Sequence, residues 1–390
     1  MSTRPVKPWQ SDVGLTIRSV TALTDIPAAE WNSIAGSNPF LRHEFLAGLE
    51  IYHCLDGHGW YPSHIAAFTD GKLAGAVPLY LKSNSIGEFV FDWHWAEAYQ
   101  RARKNYYPKL VSAIPFTPVT GPRLLVPDMC PDQSALSQAL IKAALASGQE
   151  SGVSGVHFLF PDTRDREALS QQGCMVRHAC QYHWHNQGYS DFDDFLDALN
   201  AKRRKQIKKE RMSVKADGIQ IEILHGAEIS DAQWRIFQQF YASTFQRKWG
   251  EPRLTLPFFQ SLSKKLPDNT LLFMARRHGE YIAGAFALRN DDTLYGRHWG
   301  CCEQFRFLHF ELCYYQTIEY CIRHHLTTLD AGVQGEHKLS RGFVPVPTWS
   351  THWIVDPQFR KAIKLYLDNE KLLIAHDMKE LSSHSAYKQA

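Results

Sequence analysis

Side chains that can carry out chemistry cluster in one short stretch near the end of the sequence. Residues 336–341 read EHKLSR and supply a carboxylate, an imidazole, an amine, a hydroxyl and a guanidinium. An imidazole titrates near neutral pH and can act as a general base, whereas amine and guanidinium groups bind anions. The same six residues would also form an ordinary polar turn between two strands, so their meaning depends on the domain that contains them.

Length and composition indicate a globular protein with two domains. The chain has 390 residues, against roughly 100–200 residues for one domain. It is 44% hydrophobic and 21% charged, which is typical of globular proteins. The net charge of +3 creates no global field, so any attraction to nucleic acid or membrane must be local.

Nothing in the sequence predicts a targeting signal, a membrane segment or a metal site. The N-terminus has no apolar run of signal-peptide length, and no window of about 18 apolar residues occurs. The eight cysteines include no CxxC motif, which favours a reduced cytoplasm. Cys180 lies close to His183 and His185, but strand alternation would place the cysteine on the opposite face.

Two pairs of segments indicate a long internal repeat. Residues 66–81 and 273–290 both read as strand, glycine turn, strand, and both contain Ala-Gly-Ala, at an offset of 209 residues. Residues 171–186 and 340–355 share a glycine and a His-Trp pair at an offset of 169 residues. The same order at both offsets predicts one fold used twice. The shorter offset implies about 40 additional residues in the first copy, at about 92–125.

Periodicity predicts the elements of both copies in the same order. The second copy is predicted to contain these elements: strand 219–224, helix 231–248, strands 271–277, 281–289 and 293–299, a helix near 310–325, strand 328–331, the polar turn, a strand ending at 354 and a helix from about 357. The predicted strands of the first copy lie near 15–20, 63–69, 72–81 and 156–160.

This layout resembles the acyltransferase fold of the GNAT superfamily, and two such domains in tandem resemble the Fem-type peptidyltransferases. Three segments look like signature blocks of a FemAB-like group of predicted N-acyltransferases, once labelled peptidoglycan biosynthesis/recognition: YYPKLVSAIPFTPVTGPRLL, YGRHWGCCEQFRFLHFELCYYQTIEYCI and AGVQGEHKLSRGFVPVPTWSTHWI. The resemblance extends from about residue 15 to residue 370. It implies an α+β fold, with a mixed sheet, made of two tandem GNAT-like acyltransferase domains.

The predicted domain organisation follows from the repeat and the resemblance. It comprises a flexible N-terminus (1–14), a first domain (15–188) with the inserted segment at about 92–125, a basic interdomain helix (189–217), a second domain (218–375) and a C-terminal tail (376–390).

The resemblance leaves two acyl donors to distinguish. Ordinary members of the superfamily bind acyl-CoA, with the pyrophosphate on a glycine-containing loop at a helix N-terminus. Residues 301–312 contain no glycine and carry bulky aromatic side chains, and residues 126–138 also lack a glycine-rich loop. We therefore favour aminoacyl-tRNA, the donor that the resemblance to Fem-type enzymes implies. Acyl-CoA is the alternative co-substrate, and no other cofactor is expected.

A tRNA donor requires a basic surface, and residues 200–215 supply one. The side chains predicted to bind phosphate there are Lys202, Arg203, Arg204, Lys205, Lys208 and Lys209. The alternative is a solvated helix between the domains.

The inserted segment of the first copy is a candidate acceptor site. It is rich in aromatic and basic residues, and long ordered loops are often functional. We expect it to line a cleft between the domains, with substrate contacts from Tyr106, Tyr107, Lys109 and Arg123. The alternatives are a loop that packs over the core or one that rests on a membrane surface.

The reaction itself is predicted to be direct attack of an amine on the acyl group. No GxSxG elbow or Ser-His-Asp order indicates a covalent intermediate. In this fold the reacting groups gather where the strands before and after the long helix splay apart, which places His298 and Asp330 near the centre. His337 is the predicted general base, and Glu336 either orients it or takes the proton.

Four further residues are predicted to contact substrate: Lys338, Arg341, His309 and Glu311. The sequence therefore predicts an N-acyltransferase that acts on an amine of a peptide, an amino acid or a cell-wall precursor. The two alternatives are an acyl-CoA-dependent N-acetyltransferase and a non-catalytic protein that binds a peptide or muropeptide.

Overall fold

The computed structural model describes residues 9–10, 15–246, 250–332 and 335–388, apart from the side chains of Trp9, Gln10 and Glu336. The first part of the chain forms these elements: β1 (Trp9–Gln10), β2 (Leu15–Val20), α1 (Ala28–Ala35), α2 (His43–Ile51), β3 (Trp60–Pro62), β4 (His64–Thr69), β5 (Lys72–Val77), β6 (Leu79–Lys82), α3 (Trp93–Arg101), β7 (Lys109–Ser112), α4 (Gln133–Glu150), β8 (Gly155–Leu159) and α5 (Thr163–Gln171).

The second part forms these elements: β9 (Met175–His185), α6 (Phe192–Ala198), α7 (Ala201–Ala216), β10 (Gln220–His225), α8 (Asp231–Gln246), α9 (Leu256–Lys265), β11 (Thr270–Arg277), β12 (Glu280–Arg289), β13 (Thr293–Cys301), α10 (308–323), β14 (Thr328–Asp330), β15 (Val344–Ile354) and α11 (Pro357–Ser383). Short 3-10 turns occupy Leu23–Asp25, Gly226–Glu228 and Glu336–Arg341.

The chain divides into two units, and the division falls inside β9 and β15. Unit 1 extends to Ala179 and also includes 347–375, whereas unit 2 comprises 180–346 and the chain from His376. Each unit therefore contains a strand segment from the other repeat. The boundary therefore lies within β9. The sequence had suggested residue 188, which follows the end of β9.

Unit 1 contains two sheets, which part at Pro78. The antiparallel sheet β1-β2-β4-β5 ends there, and β6 belongs to the second sheet, β15-β8-β7-β6-β3. Proline has no N–H group for a strand ladder, so it interrupts what would be one long strand. Helix α4 packs against β4, β5 and β8 and buries Leu140 and Ala144 in the core.

Unit 2 contains the sheet β10-β11-β12-β13-β14-β9. Its strands pair antiparallel except for β13 and β14, which are parallel because α10 crosses between them. The helix packs on both strands and buries Leu312 and Ile318 in the core. The second half of β9 completes this sheet, with Trp184 opposite Leu329.

Both units repeat the same order of elements, as the sequence pattern predicts. Strands β2, β4, β5–β6, β7 and β8 match β10, β11, β12, β13 and β14, and α4 matches α10. Unit 1 has longer connections on both sides of β7, at 83–108 and 113–132, where unit 2 has 290–292 and 302–307. These connections overlap the segment 92–125, where the difference between the two repeat offsets placed the additional residues of the first copy.

One expectation needs correction. The basic segment 189–217 is not one helix, because it breaks at Leu199, and the Asn200 side chain then caps α7 by accepting a 3.0 Å hydrogen bond from the backbone N–H of Arg203. One face of α7 is buried and carries Ile207 and Val214. The expected flexible N-terminus, 1–14, lies outside the described residues except for β1, which pairs with β2.

In the described part of the chain, no helix is long and apolar enough to cross a membrane. Its His, Cys, Asp and Glu side chains form no cluster that would hold a metal ion.

Close backbone packing of β13 on α8 gives a stability prediction. An ideal Cβ on Gly300 would lie 2.0 Å from the carbonyl oxygen of Phe240, so Gly300→Ala must displace backbone. We expect this variant to lose about 1–3 kcal/mol of unfolding free energy in urea. Gly296→Ala is the matched control in the same strand, since its Cβ would lie 3.8 Å from the nearest atom. Equal stability of the two variants would contradict this packing.

Candidate active site

A cleft opens in unit 2 where β13 and β14 separate. The two strands pair only over 293–295 and Thr328–Asp330, and β13 continues to Cys301 beyond the end of β14. β13 therefore continues past its pairing with β14 at the place where the two strands were expected to diverge. The cleft has a volume of about 100 Å³, and its polar and aromatic lining includes Arg297, His298, Trp299, His309, Cys313 and Tyr314.

A β-bulge in β13 places a guanidinium at the point of separation. Phe286 pairs with His298 and Ala287 with Gly296, so Arg297 is the extra residue. Arg297 donates a 2.9 Å hydrogen bond to Asp330, the last residue of β14. Burial would raise the pKa of Asp330, but Arg297 and His183 hold it below its usual range. Asp330 is therefore a paired carboxylate and a weak base, unlike the catalytic role that its position suggested.

Two histidines in the cleft wall are neutral at physiological pH. His298 stacks on Phe286, and burial together with Arg297 lowers its pKa to about 3. His309 lies at the start of α10 against Trp299, with ring centroids 5.3 Å apart. Burial and the neighbouring His337 lower the pKa of His309 to about 4. Both residues lie in the predicted site as uncharged imidazoles, which can donate or accept a hydrogen bond.

His337 lies at the rim of this cleft on the 3-10 turn Glu336–Arg341. Its Nε2 is 2.9 Å from the hydroxyl of Tyr314, which lines the cleft. Partial burial, Arg341 and Lys338 lower the pKa of His337 below 6.5, so the imidazole is neutral at pH 7. Burial raises the pKa of Tyr314, which keeps its proton. The side chain of Glu336, predicted to assist His337, lies outside the described residues.

Glycine is required directly before this turn. Gly335 has φ = 109°, and a Cβ there would lie 2.5 Å from the His337 ring. Only glycine adopts such a backbone without strain. The close approach therefore fixes where the imidazole can lie.

Lys338 holds the end of β14 from within the same turn. Its ammonium group donates hydrogen bonds of 2.7 and 2.8 Å to the carbonyl oxygens of Ala331 and Gly332. Burial lowers the pKa of Lys338 to about 8, although Asp330 opposes this shift. Lys338, Arg297 and Asp330 together leave one net positive charge beside the cleft.

A buried ion pair fixes the other end of the turn. The guanidinium of Arg341 donates hydrogen bonds of 2.9 Å to both carboxylate oxygens of Glu210 on α7. It also donates to the Tyr315 hydroxyl and to the carbonyl oxygen of His337, both at 2.8 Å. Tyr315 in turn donates to Glu210. Arg341 is thus saturated by internal partners, so the predicted contact of Arg341 with a substrate anion is not supported.

The middle of α10 is a π-helix, Glu311–Tyr315, a distortion that is frequent at functional sites. Its first residue, Glu311, is buried and accepts hydrogen bonds from Arg211 at 3.2 Å and from Gln316 at 2.7 Å. Glu311 therefore joins α10 to α7 instead of facing the cleft, contrary to its predicted substrate contact.

The six basic residues of α7 predicted to bind phosphate fall into two groups. The first group has polar partners: Arg203 lies 3.1 Å from Gln206, Arg204 lies 3.2 Å from Asp197, and Lys208 lies 3.5 Å from Asp193. Lys202, Lys205 and Lys209 are exposed to solvent. Positions i, i+3 and i+7 share one side of a helix, so these three lysines form a stripe. We call them the α7 lysine stripe.

The four predicted substrate contacts in unit 1 have internal partners. Arg123 is buried and donates its hydrogen bonds to backbone carbonyl oxygens, including those of Val119 and Leu159 at 2.6 and 2.7 Å. Lys109 is buried between Glu88 and Asp92, at 2.7 and 2.5 Å. The hydroxyl of Tyr106 donates to Asp92 at 2.6 Å, and that of Tyr107 is 2.8 Å from Ser85. Tyr106, Lys109 and Arg123 are buried in unit 1, whereas Tyr107 is half-buried.

Three residues of the site were missed at the sequence level: Arg297, Tyr314 and Glu210. Arg297 reaches the cleft because of a bulge, and Tyr314 lies on α10 among the apolar residues of that helix. Glu210 is the single acidic residue among many basic residues in α7. An isolated opposite charge of this kind is the sequence signal from which a buried ion pair could have been predicted.

The buried pair gives a second stability prediction. Glu210→Ala leaves the Arg341 guanidinium buried without a counter-charge, which costs about 3–5 kcal/mol. Urea unfolding should show this loss, whereas Lys209→Ala, the exposed neighbour, should change the unfolding free energy by less than about 0.5 kcal/mol. A loss below about 1 kcal/mol for Glu210→Ala would show that the pair does not hold the turn.

Comparison with known proteins places the chain in a family. A search of curated proteins found no match. The fold is similar to the crystal structure of FemX, with a TM-score of 0.55, 13% identity and coverage of 87% of this chain and 98% of FemX. It is also similar to a conserved protein of unknown function from Bacteroides thetaiotaomicron VPI-5482, with a TM-score of 0.51, 10% identity and coverage of 85% and 98%. A tandem GNAT protein from the clavulanic acid biosynthesis pathway matches at a TM-score of 0.44, with 12% identity and coverage of 88% and 99%.

The model of the FemAB-like family, described as peptidoglycan biosynthesis/recognition, matches residues 22–389. This chain, an α+β protein whose fold is similar to that of FemX, belongs to the FemAB-like family.

Proposed function

We propose that this protein is an N-acyltransferase that transfers an aminoacyl or acyl group to an amine by direct attack in the unit 2 cleft. The observation that supports this most is the neutral imidazole of His337, held beside a cleft that carries net positive charge. Membership of the FemAB-like family supports the same class of reaction.

The attacking amine must lose a proton, and His337 is the group best suited to accept it. Its imidazole is neutral at pH 7 because its pKa lies below 6.5. The Tyr314 hydroxyl, 2.9 Å away, fixes the orientation of the ring. A base with a pKa near the working pH is effective in proton transfer.

The tetrahedral intermediate places negative charge on the former carbonyl oxygen. Arg297 and Lys338 lie where β14 ends beside β13, and Asp330 offsets one of their two charges. Fixed positive groups in a site that excludes water stabilise such an oxyanion strongly. The acceptor amine and the donor carbonyl would therefore meet in the cleft, between the imidazole and these cations.

The donor that we favour is aminoacyl-tRNA. Residues 302–307 before α10 contain no glycine, and Phe307 adopts a left-handed conformation at the position where a CoA-binding loop would present its N–H groups. The exposed lysines of α7 lie on the helix whose buried face anchors the catalytic turn. RNA phosphates would be neutralised by these lysines.

The direct test combines donors with amine acceptors. Purified protein is incubated with labelled aminoacyl-tRNAs or acyl-CoAs, together with amino acids, peptides and nucleotide-linked peptides, and amide products are identified by mass spectrometry. Amide formation from aminoacyl-tRNA supports the proposal in full. Turnover of acyl-CoA alone would overturn the assigned donor. Saturable binding of a peptide with no product from any donor would indicate a binding protein instead.

The pH dependence of turnover tests the assigned residues. The rate should rise with pH as His337 loses its proton, below 6.5, and fall above about 8 as Lys338 loses its own. His337→Gln should lower kcat by roughly 10²- to 10⁴-fold and remove the acidic limb of the profile. His376→Gln, an exposed histidine on α11, serves as the control. An unchanged rate and profile for His337→Gln would refute its role as the base.

The α7 lysine stripe makes a separate prediction about tRNA. Replacing Lys202, Lys205 and Lys209 by glutamine should weaken tRNA binding. It should also reduce the slope of log Kd against log salt concentration by about two to three, since each lost phosphate contact lowers the slope by roughly 0.7–0.9. Lys264→Gln with Lys265→Gln, exposed on α9, is the matched control. An equal salt slope for the stripe variant and wild type, in filter-binding assays, would exclude the stripe as the tRNA surface.

A further inference from the structure

Unit 1 carries an exposed apolar surface that the proposed reaction does not use. Helix α3 and the first part of α11 pack side by side through a small core of Trp95, Tyr99, Ile363 and Leu367. Tyr99 also stacks on Phe359, with ring centroids 3.8 Å apart.

Contacts at both ends show that the two helices are antiparallel. After the end of α3, Lys104 forms an ion pair with Asp356, just before the start of α11. At the other end, Arg177 donates to the carbonyl oxygen of Phe91 at 2.9 Å and to both carboxylate oxygens of Glu370, at 2.8 and 2.9 Å. The helix pair is therefore a fixed platform.

Large apolar side chains project outward from this platform. Phe91 and Trp93, at the start of α3, are 56% and 46% exposed. On α11 the exposed members are Leu365, Tyr366, Leu372 and Leu373, at 41–70%. Leu365 and Leu372 are seven residues apart, as are Tyr366 and Leu373, so the four side chains form one stripe along the helix. This stripe lies away from the buried residues Ile363 and Leu367.

A chain of hydrogen bonds connects the two helices near their exposed aromatic residues. The Tyr366 hydroxyl donates a 3.0 Å hydrogen bond to Glu370, which accepts from Arg177, and Arg177 also donates to the carbonyl oxygen of Phe91. Large apolar side chains exposed together on two packed helices often mark an interaction surface. Aromatic residues with a polar edge, such as Trp93 and Tyr366, are typical of the boundary between water and lipid.

Basic residues surround the apolar side chains. Segments 93–104 and 356–375 contain Arg101, Arg103, Lys104, Arg360, Lys361, Lys364 and Lys371 against Glu97, Asp356, Asp368 and Glu370. An excess of lysine and arginine attracts anionic lipid headgroups. It also disfavours contact with a second copy of the same surface, because like charges would face each other.

We propose that the outer face of α3 and α11 docks the protein on an anionic lipid bilayer. The apolar stripe enters the headgroup region, while the surrounding basic side chains contact lipid phosphates, as in helices that lie in the interface without crossing it. This inference concerns a surface of unit 1 and is independent of the reaction assigned to unit 2.

Vesicle co-sedimentation of the full chain tests the docking surface. The protein should sediment with vesicles of phosphatidylcholine and phosphatidylglycerol, less with phosphatidylcholine alone, and less in high salt. Trp93→Glu with Leu373→Glu should weaken binding at least about tenfold, since each change removes a large apolar side chain from lipid. Met129→Glu, at 93% exposure elsewhere in unit 1, is the control and should bind as wild type does.

Three outcomes would overturn the proposal. The first is failure of the wild-type protein to bind the anionic vesicles, and the second is equal binding by the double variant. The third is a dimer, seen by light scattering without lipid, that Trp93→Glu with Leu373→Glu dissociates, because the patch would then be an interface between copies. Circular dichroism of the double variant establishes that any loss of binding does not reflect unfolding.

Discussion

One buried carboxylate, Glu210, determines where the candidate active site lies. Helix α7, the π-helical part of α10 and the turn that carries His337 all meet at this group, through Arg341 and Tyr315. Burying an ion pair rarely increases stability over an apolar contact of the same size. Its consequence here is geometric, because the Arg341 guanidinium also holds the carbonyl oxygen of His337. The position of the proposed base therefore depends on a helix more than a hundred residues earlier in the chain.

This arrangement gives α7 two faces with different roles. Ile207, Glu210 and Val214 are buried and position the turn, while the lysine stripe on the same helix meets solvent. A phosphate-bearing donor bound to the stripe would thus contact the element that fixes His337. Binding energy from a part of the substrate that does not react could then be used to align the reacting groups, as transition-state complementarity requires.

The sequence predicted the repeat and the order of strands, because these features depend on local periodicity and spacing. It did not predict Arg297, since a β-bulge changes which side chains face the cleft without changing the pattern of hydrophobic residues. It also assigned Lys109, Arg123 and Arg341 to substrate. A charged residue in a sequence looks the same whether it meets solvent or a partner distant along the chain, and each of these three has such partners. Burial of charge is a tertiary property.

The two repeats carry different elements after their last matching strands, β8 and β14. At the place where unit 2 has the His337 turn, unit 1 has α5, whose Asp165 accepts hydrogen bonds from the backbone N–H groups of Arg123 and Leu124, at 2.5 and 2.8 Å. That carboxylate closes the loop after β7, and the sequence of α5 contains no histidine. In unit 2 the imidazole is exposed and has a phenol as its partner, and the lysine beside it has its pKa lowered to about 8. Groups that can still exchange protons are what catalysis requires. The difference between the repeats therefore favours unit 2 as the reactive one and unit 1 as a domain whose polar residues serve its own structure.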